Sequence, residues 1–455
     1  MLKQDFLLPT ETELTTRQYH IARSHKKNGT SLEDSRPYLE ELGIEIRENR
    51  QSIQFLPNTN EPVHRWSPYV QGFSARFVQR TLEKYRREYR SPIILDPFAG
   101  SGTVPVQTKL NGLKFYGIEL NPLLHFVASA KTRNWNVNPE KLLSISRHLS
   151  AKKDFRAPSF LKSSRQFNPG VLANLEKLMS GIQSFEPGNN EDAQIRELML
   201  LAFSSILIEV SNLKRTPCLG YSPSKRVEDE APFNAFAQKI EEIAEDLWLL
   251  QTMYRHCLDV EGQIVLANSA EYTHSTEYDL VITSPPYMNG LDYVINYKIE
   301  MGWLGFGQTH QELKHLKDSM VVCDNVSKGL IRNFTRSDRY ANDWIENIKS
   351  EIAQNIERRG SYRRPDMPEI VHKYFDDMYR IMKNVISALK PGGRFIQVIG
   401  DSLIADVYVP TDLILARMGR ELGLRIESIE KARNRRSGQI RTYQLRETIV
   451  TLKKD

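Results

Sequence analysis

The sequence is poor in the residues that define several protein classes. Its three cysteines, Cys218, Cys257 and Cys323, are widely spaced and form no Cys-x-x-Cys pair. They indicate neither a disulfide framework nor a cysteine zinc site, and reduced thiols in a cytoplasmic protein are the simplest interpretation. The most apolar stretch, Leu198–Val210, is far shorter than the ~20 apolar residues that a membrane span needs. It predicts a buried helix, and we expect no membrane partner.

No charge of one sign dominates the chain. Sixty-two lysines and arginines against 56 aspartates and glutamates leave a net charge of +6, with 40% hydrophobic and 26% charged residues. These are ordinary values for a soluble globular protein, and they exclude a disordered or collagen-like chain. At roughly 150 residues per domain, 455 residues predict two or three structural units. The small positive charge suits a nucleic-acid partner only where it is clustered.

A strand–turn–helix–strand pattern begins near residue 93. A short apolar strand, Ile93–Leu95, runs into the turn DPFAGSGT at 96–103, a helix follows from Val104, and Phe115–Glu119 is a second strand ending in an acid. This βαβ unit predicts an α/β fold with a mostly parallel central sheet. A glycine turn lets a ligand approach the backbone, and an acid after the next strand can accept ribose hydroxyls. The pair indicates a nucleoside-containing cofactor, whereas the absence of GxxxxGK[ST] disfavours a P-loop ATPase.

A second turn with its own chemistry follows the predicted strand Tyr278–Thr283. Ser284-Pro285-Pro286-Tyr287 cannot continue sheet pairing, since both prolines lack an N–H, and it therefore forms a rigid turn at the strand's carboxyl end. The backbone carbonyls of Ser284 and Pro285 are free to accept the hydrogens of an amine, and Tyr287 offers a flat ring. The turn suits a planar substrate that carries an amino group.

Together, DPFAGSGT and TSPPY resemble the S-adenosylmethionine-dependent DNA amino-methyltransferases, which methylate N4 of cytosine or N6 of adenine. The resemblance implies a Rossmann-like catalytic sheet with helical insertions, and S-adenosyl-L-methionine as the cofactor. The segment HRWSPY at 64–69 is similar to the one that covers the methionine end of the cofactor. By the resemblance, the catalytic residues are Ser284, Pro285, Pro286 and Tyr287, no metal is bound, and the cofactor residues are Tyr69, Asp96, Phe98, Gly100, Ser101, Gly102, Thr103, Glu119 and Asn268. The family often has Asp where Asn268 stands, near the cofactor adenine.

Family members with Ser before Pro-Pro-Tyr are mostly cytosine-N4 enzymes, so the resemblance favours transfer to cytosine N4 in double-stranded DNA with the target base flipped. Adenine N6, an RNA amine and a catalytically silent nucleic-acid-binding module remain alternatives. Pro217-Cys218 matches the dipeptide of carbon-5 cytosine methyltransferases, but no strand pattern supports it. A cognate restriction endonuclease is the partner that the resemblance implies.

The organisation follows from where the strand signals lie. We expect an N-terminal extension of unknown role at 1–60, a catalytic domain formed by 61–131, 260–304 and 369–455, a helical insertion at 132–259, and a second insertion at 305–368 that is a candidate for DNA recognition. Two basic clusters are candidate phosphate contacts: the first contains Lys431, Arg433, Arg435, Arg436 and Arg441, and the second contains Arg358, Arg359, Arg363 and Arg364.

Overall fold

The computed structural model describes residues 29–455 except 50–52, 54–55, 70–71, 153, 162–164, 217, 291, 324–325, 337–338, 361, 438–439 and 441. Residues 1–28, about half of the predicted N-terminal extension, lie outside the described residues, as do Pro217 and Arg441. The strands are β1 (Ile46–Glu48), β2 (Ile94–Asp96), β3 (Phe115–Glu119), β4 (Leu213–Arg215), β5 (Leu219–Tyr221), β6 (Gly262–Leu266), β7 (Tyr278–Thr283), β8 (Leu389–Gly400), β9 (Ser402–Ile404), β10 (Val407–Val409), β11 (Leu424–Arg436) and β12 (Gln444–Lys454).

An eight-stranded sheet with the order β1-β11-β12-β8-β7-β2-β3-β6 forms the centre of the molecule. The pairs β7–β8, β2–β7, β2–β3, β3–β6 and β1–β11 are parallel, and β12 is antiparallel to both of its neighbours. The carboxyl ends of β2, β3, β6, β7, β8 and β11 therefore lie along one edge, together with the first residues of β12. Ligands bind at this edge in open α/β sheets. The strand order and the mostly parallel pairing confirm the predicted Rossmann-like fold class.

Helices cover both faces of the sheet and form a separate helical region. Their bounds are α1 (Ser31–Asp34), α2 (Arg36–Leu42), α3 (Ala75–Tyr85), α4 (Thr103–Leu110), α5 (Pro122–Arg133), α6 (Pro139–Arg147), α7 (Pro169–Ser184), α8 (Asn190–Ile206), α9 (Ala231–Met253), α10 (Tyr293–Asn296), α11 (Lys298–Leu304), α12 (His310–Ser319), α13 (Lys328–Phe334), α14 (Asp343–Arg359), α15 (Met367–Ser387) and α16 (Thr411–Glu421).

Three apolar cores hold these layers together. One face of the sheet packs on α14, α15 and α16, and the other packs on α3 and α4. The third core lies among α5–α9 and α11. Its α9 buries Phe236, Ile240, Ile243, Leu247 and Leu250, a spacing of three and four residues that predicts one helix face.

Most strand predictions around the candidate site are confirmed, and the main difference concerns residues 390–393. From the sequence, Lys390-Pro391-Gly392-Gly393 is predicted to end a helix, and the following strand is predicted to begin at Arg394. The helix α15 instead ends at Ser387, and β8 begins at Leu389. The register shifts within that strand, because Tyr278 pairs with Leu389 while Leu280 pairs with Arg394. The four residues form an irregularity in a continuous strand, where Gly392 supplies a φ of +76°.

Candidate active site

The two turns identified in the sequence lie side by side at the carboxyl edge of the sheet. Strands β2 and β7 are parallel neighbours, with Ile94 opposite Leu280 and Leu95 opposite Val281. The last residues of the two strands are joined directly, since the Thr283 hydroxyl donates to Asp96 Oδ1 over 2.7 Å. The residues that follow Asp96 and those that follow Thr283 consequently begin next to each other at this edge of the sheet.

The glycine turn takes a backbone course that only glycine adopts easily. Gly100 and Gly102 have φ angles of +53° and +85°. A Cβ on Gly102 would lie 3.1 Å from the backbone of Ala128, so α5 packs directly on the turn. The Phe98 N–H donates to Asp96 Oδ1 over 3.0 Å, and Thr103 begins α4 directly after the turn. The sequence motif therefore builds a bare stretch of backbone that faces the edge of the sheet.

Glu119 ends β3 beside this turn and is held by backbone donors. Its Oε2 accepts the Gly100 N–H over 2.8 Å, and its Oε1 accepts the Asn121 N–H over 2.7 Å. Burial raises the pKa of the Glu119 carboxyl to about 7, and burial also raises that of Asp96 to about 7. Each Glu119 oxygen keeps a second lone pair that can accept a hydroxyl hydrogen. The position matches the predicted ribose-binding acid.

Asn268 follows the neighbouring strand β6 and lies at the same edge. The backbone bond from the Ala267 N–H to the Glu119 carbonyl, 3.1 Å long, ties the end of β6 to the end of β3. The Asn268 Oδ1 accepts the Ala270 N–H over 3.0 Å. Within the described residues no hydrogen bond involves its Nδ2, which leaves this donor for a ligand.

Tyr69 lies across the glycine turn. Its Oη would be 3.1 Å from a Cβ on Gly100, and its ring stacks on Tyr297 with centroids 5.9 Å apart and on Tyr293 at 6.3 Å. Burial raises the pKa of the Tyr69 phenol well above its ordinary value. The stacked tyrosines follow the SPPY turn in sequence, so Tyr69 connects the two turns.

The segment that carries Tyr69 is anchored to the helical region by a buried aspartate. Asp246 in α9 accepts the Val63 N–H and the Trp66 indole N–H, each over 2.8 Å, and forms a 2.7 Å ion pair with Arg65. Lys131 in α5 donates to the His64 carbonyl over 3.1 Å. The helical region thereby positions a residue of the candidate cofactor site.

The residues present fit a nucleoside cofactor with a polar tail. The Ser101 hydroxyl, inside the glycine turn, is buried and has no hydrogen-bond partner within the described chain. Buried polar atoms are nearly always paired, so an unpaired one in a ligand-facing turn indicates a ligand contact. With Glu119 and Asn268 on the neighbouring strand ends, the turn presents acceptors and donors along one cleft.

The SPPY turn keeps two acceptors open. The Pro286 carbonyl accepts the Tyr374 hydroxyl over 2.8 Å, which ties the turn to α15. The carbonyls of Ser284 and Pro285 and the Ser284 hydroxyl accept no hydrogen bond from the described residues. These are the acceptors that the sequence assigns to the amine.

Tyr287 is surrounded by two arginines of the first basic cluster and by Glu447, which the sequence analysis did not identify. Its hydroxyl donates to Glu447 Oε1 over 3.1 Å, and the Arg435 guanidinium lies over its ring, 5.2 Å from the centroid. Glu447 also pairs with Arg433. All three neighbours come from β11 and β12, whose ends reach the same edge of the sheet. Glu447 lies opposite Gly400 in the β12–β8 pair, which brings it to the carboxyl edge of the sheet. Its position near Tyr287 can be inferred only once the pairing of β8 and β12 is known.

The basic clusters are more neutralised than the sequence predicts. Lys431 pairs with Glu48 and Arg433 with Glu447, whereas Arg436 is exposed. In the second cluster Arg359 pairs with Asp406 and Arg364 with Asp366. Residues 431–436 form the end of β11, where Arg436 is exposed.

The described residues contain neither a candidate metal site nor a candidate membrane span. No group of three or more His, Cys, Asp or Glu side chains in that part of the chain is placed to hold a metal ion. None of the helices described there is long and apolar enough to cross a membrane. Cys218 is exposed, between the strands of the small β4–β5 hairpin and outside the central sheet.

The glycine turn and the acid at neighbouring strand ends form the ligand-binding edge of an open α/β sheet. Over most of its length the chain is similar to type II methyltransferases. It is 24% identical over 450 residues to M.BsoBI of Geobacillus stearothermophilus, covering 87% of this chain and 86% of that protein. It is 24% identical over 409 residues to M.AvaI of Nostoc sp., covering 84% and 83%. M.MvaI of Kocuria varians is 22% identical over 420 residues, covering 84% and 86%.

Family models and solved structures show no match or only a weak one. No protein-family model matches the chain. A SAM-dependent methyltransferase from Methanosarcina mazei of known structure covers 82% of this chain and 96% of its own, with a TM-score of 0.29 and 9% identity. This structural similarity is too low to indicate a function.

Proposed function

We propose that this chain is an S-adenosylmethionine-dependent DNA methyltransferase that modifies an exocyclic amine, with cytosine N4 as the target. One observation supports the proposal: the 2.7 Å bond between Thr283 and Asp96 joins the last residues of the two strands that lead into the glycine turn and the SPPY turn. Similarity to type II methyltransferases over more than four-fifths of the chain supports DNA as the substrate. Ser284 before Pro-Pro-Tyr supports cytosine.

The candidate cofactor residues have separate tasks. Glu119 accepts the ribose hydroxyl hydrogens, Asn268 donates to the adenine, and the backbone of Phe98–Gly102 lies against the nucleoside. S-adenosylmethionine, when bound there, supplies a sulfonium methyl group whose transfer leaves a neutral thioether. Tyr69 covers the turn and excludes water from this end of the cleft.

The SPPY turn binds and orients the amine. The Ser284 hydroxyl and the Pro285 carbonyl accept the two amine hydrogens, which turns the nitrogen lone pair towards the methyl group. With the cofactor bound, the nitrogen would form a bond to the methyl carbon as the sulfur–carbon bond broke, and one amine proton would then leave to water. Rate enhancement comes from positioning and from acceptors aimed at the charge that develops on nitrogen.

The target base must leave the duplex to reach this cleft. Flipping a base costs a few kcal/mol, and stacking on an aromatic ring returns ~1–3 kcal/mol. Tyr287 provides that ring, held by Glu447 through its hydroxyl. As in a type II system, an endonuclease of the same sequence specificity is the expected partner.

Identification of the methylated nucleoside tests the proposal. The full chain is incubated with methyl-labelled S-adenosylmethionine and mixed-sequence DNA or RNA, and the nucleic acid is digested to nucleosides for mass analysis. We expect label in N4-methyldeoxycytidine, and a roughly 10²-fold loss in Ser284→Ala because one positioning acceptor is removed. Label in N6-methyladenine, in RNA or at cytosine C5 contradicts the cytosine-N4 assignment, and cofactor binding without any transfer contradicts the enzymatic one.

A further inference from the structure

A narrow polar pocket opens beside the glycine turn, on the side of Tyr69. It is bounded by Ser67, Tyr69, Ser101, Tyr297 and Glu300. Glu300 lies on α11 and is 6% exposed. The pocket therefore lies between the glycine turn and the helices α5, α8 and α11.

The polar groups around this pocket are only partly paired. Glu300 Oε1 accepts from Arg215 over 2.7 Å, but its Oε2 is buried and has no partner within the described residues. The Nε of Arg215 and the hydroxyl of Ser101 are likewise buried without a partner in that part of the chain. An unmade hydrogen bond at a buried charged group is costly, so three such groups together indicate a ligand.

The chemistry of the three groups defines the ligand. Glu300 can accept hydrogens from an ammonium group, and Ser101 and Arg215 can donate to a carboxylate. The Glu300–Arg215 pair is neutral as a whole, so a ligand with one charge of each sign leaves the buried site neutral. An α-amino acid end has this combination of groups on one carbon atom.

We infer that Glu300 and Ser101 bind the α-ammonium and α-carboxylate groups of the cofactor's methionine end, with Arg215 of the helical region holding Glu300 in place. The inference rests on the proposed function and assigns two groups of the chain to that cofactor. The guanidinium of Arg215 lies 4.4 Å from the centroid of the Tyr297 ring, which in turn stacks on Tyr69. The helical region thereby supports the cofactor site as well as enclosing a core.

Two nucleosides that differ only at this end test the inference. S-adenosylhomocysteine carries the amino acid group, whereas 5′-methylthioadenosine lacks it. We expect Glu300→Gln to weaken S-adenosylhomocysteine binding about 10- to 100-fold, the value of a charge-assisted hydrogen bond, and to leave 5′-methylthioadenosine binding unchanged in titration calorimetry. The glutamine can still accept from Arg215, but it turns an amide N–H towards the ammonium.

A matched pair of serine variants covers the case in which Glu300→Gln does not fold. Ser101→Ala should weaken S-adenosylhomocysteine alone. Ser204→Ala in α8 should weaken neither nucleoside, because Ser204 lines the same pocket but its hydroxyl already donates to the Leu201 carbonyl over 2.8 Å. The inference is overturned if Glu300→Gln and Ser101→Ala each weaken binding of the two nucleosides equally, or if neither variant weakens binding of either nucleoside. The proposed function stands in both cases. If the unmodified chain binds 5′-methylthioadenosine as tightly as S-adenosylhomocysteine, the inference is also overturned. If it binds neither nucleoside, the proposed function fails as well.

Discussion

Substitution of Glu119 by glutamine separates the electrostatic role of this residue from its binding role. Burial raises the pKa of the Glu119 carboxyl from 4.5 to about 7. As the pH rises from 5 to 7, the folded chain holds a proton that the unfolded chain has already lost. The free energy of unfolding therefore falls over this window, by up to about 3 kcal/mol for this group. Asp96 contributes a slope of the same sign, because burial raises its pKa to about 7 as well.

Urea denaturation at pH 5, 6 and 7 measures this slope. In Glu119→Gln the fall with pH should be smaller than in the unmodified chain, because one of the buried carboxyls that titrate in this window is gone. Glu140→Gln, at an exposed position on α6, is the matched control and should keep the full slope. Parallel curves for the unmodified chain and Glu119→Gln would refute the argument that burial perturbs this carboxyl.

The same variant tests the ribose contact. A carboxylate accepts hydroxyl hydrogens more strongly than an amide does, and a hydrogen bond to a charged group is worth about 1.5–3 kcal/mol. We expect Glu119→Gln to bind S-adenosylhomocysteine about 10- to 100-fold more weakly at pH 8, where Glu119 is ionised. Affinity of the unmodified chain should rise between pH 6 and 8, because binding favours the ionised carboxylate. Unchanged affinity in the variant would remove Glu119 from the cofactor site.

Four further predictions concern the SPPY turn and its surroundings. Thr283→Val removes the bond to Asp96 and should lower the free energy of unfolding by about 1–3 kcal/mol, whereas Thr283→Ser should retain most of it in the same denaturation assay. Tyr287→Ala should reduce kcat/KM about 10- to 100-fold through lost stacking and leave S-adenosylhomocysteine affinity unchanged; equal loss of both would argue against a role in base binding. Cys218→Ser should methylate DNA at the normal rate, since the SPPY mechanism needs no thiol. Arg436→Gln should reduce the slope of log affinity for DNA against log salt by about 0.9, and an unchanged slope places Arg436 outside the DNA footprint.

The turns could be predicted because their signals are local. Asp96–Thr103 and Ser284–Tyr287 each lie where an apolar strand stops, and glycine and proline restrict the backbone in ways that do not depend on distant residues. Parallel pairing of β2 and β7 in the folded chain then brings them together. The strands Phe115–Glu119 and Tyr278–Thr283 are confirmed residue by residue.

The residues that complete the site could not be predicted because they arrive from distant parts of the chain. Strand β11 contains the sequence RIESIEKARNRR, whose many charges indicate a solvated loop, and it forms a strand because β1 and β12 pair with it on both sides. The carboxylate that neutralises Arg433 lies opposite it on β12. Likewise, Tyr69 and Tyr297 are separated by more than two hundred residues of sequence, and only the folded chain stacks them.

The proposed methyl transfer requires that one cleft bind both the cofactor and the target base. A crystal structure of the chain with S-adenosylhomocysteine and a DNA duplex tests this most directly. We expect the sulfur atom to lie against the turn at Gly100 and to face the Pro285 carbonyl, with the flipped base on Tyr287 and its amine between them. A nucleoside bound elsewhere on the sheet, or a base held away from Ser284 and Pro285, would contradict it.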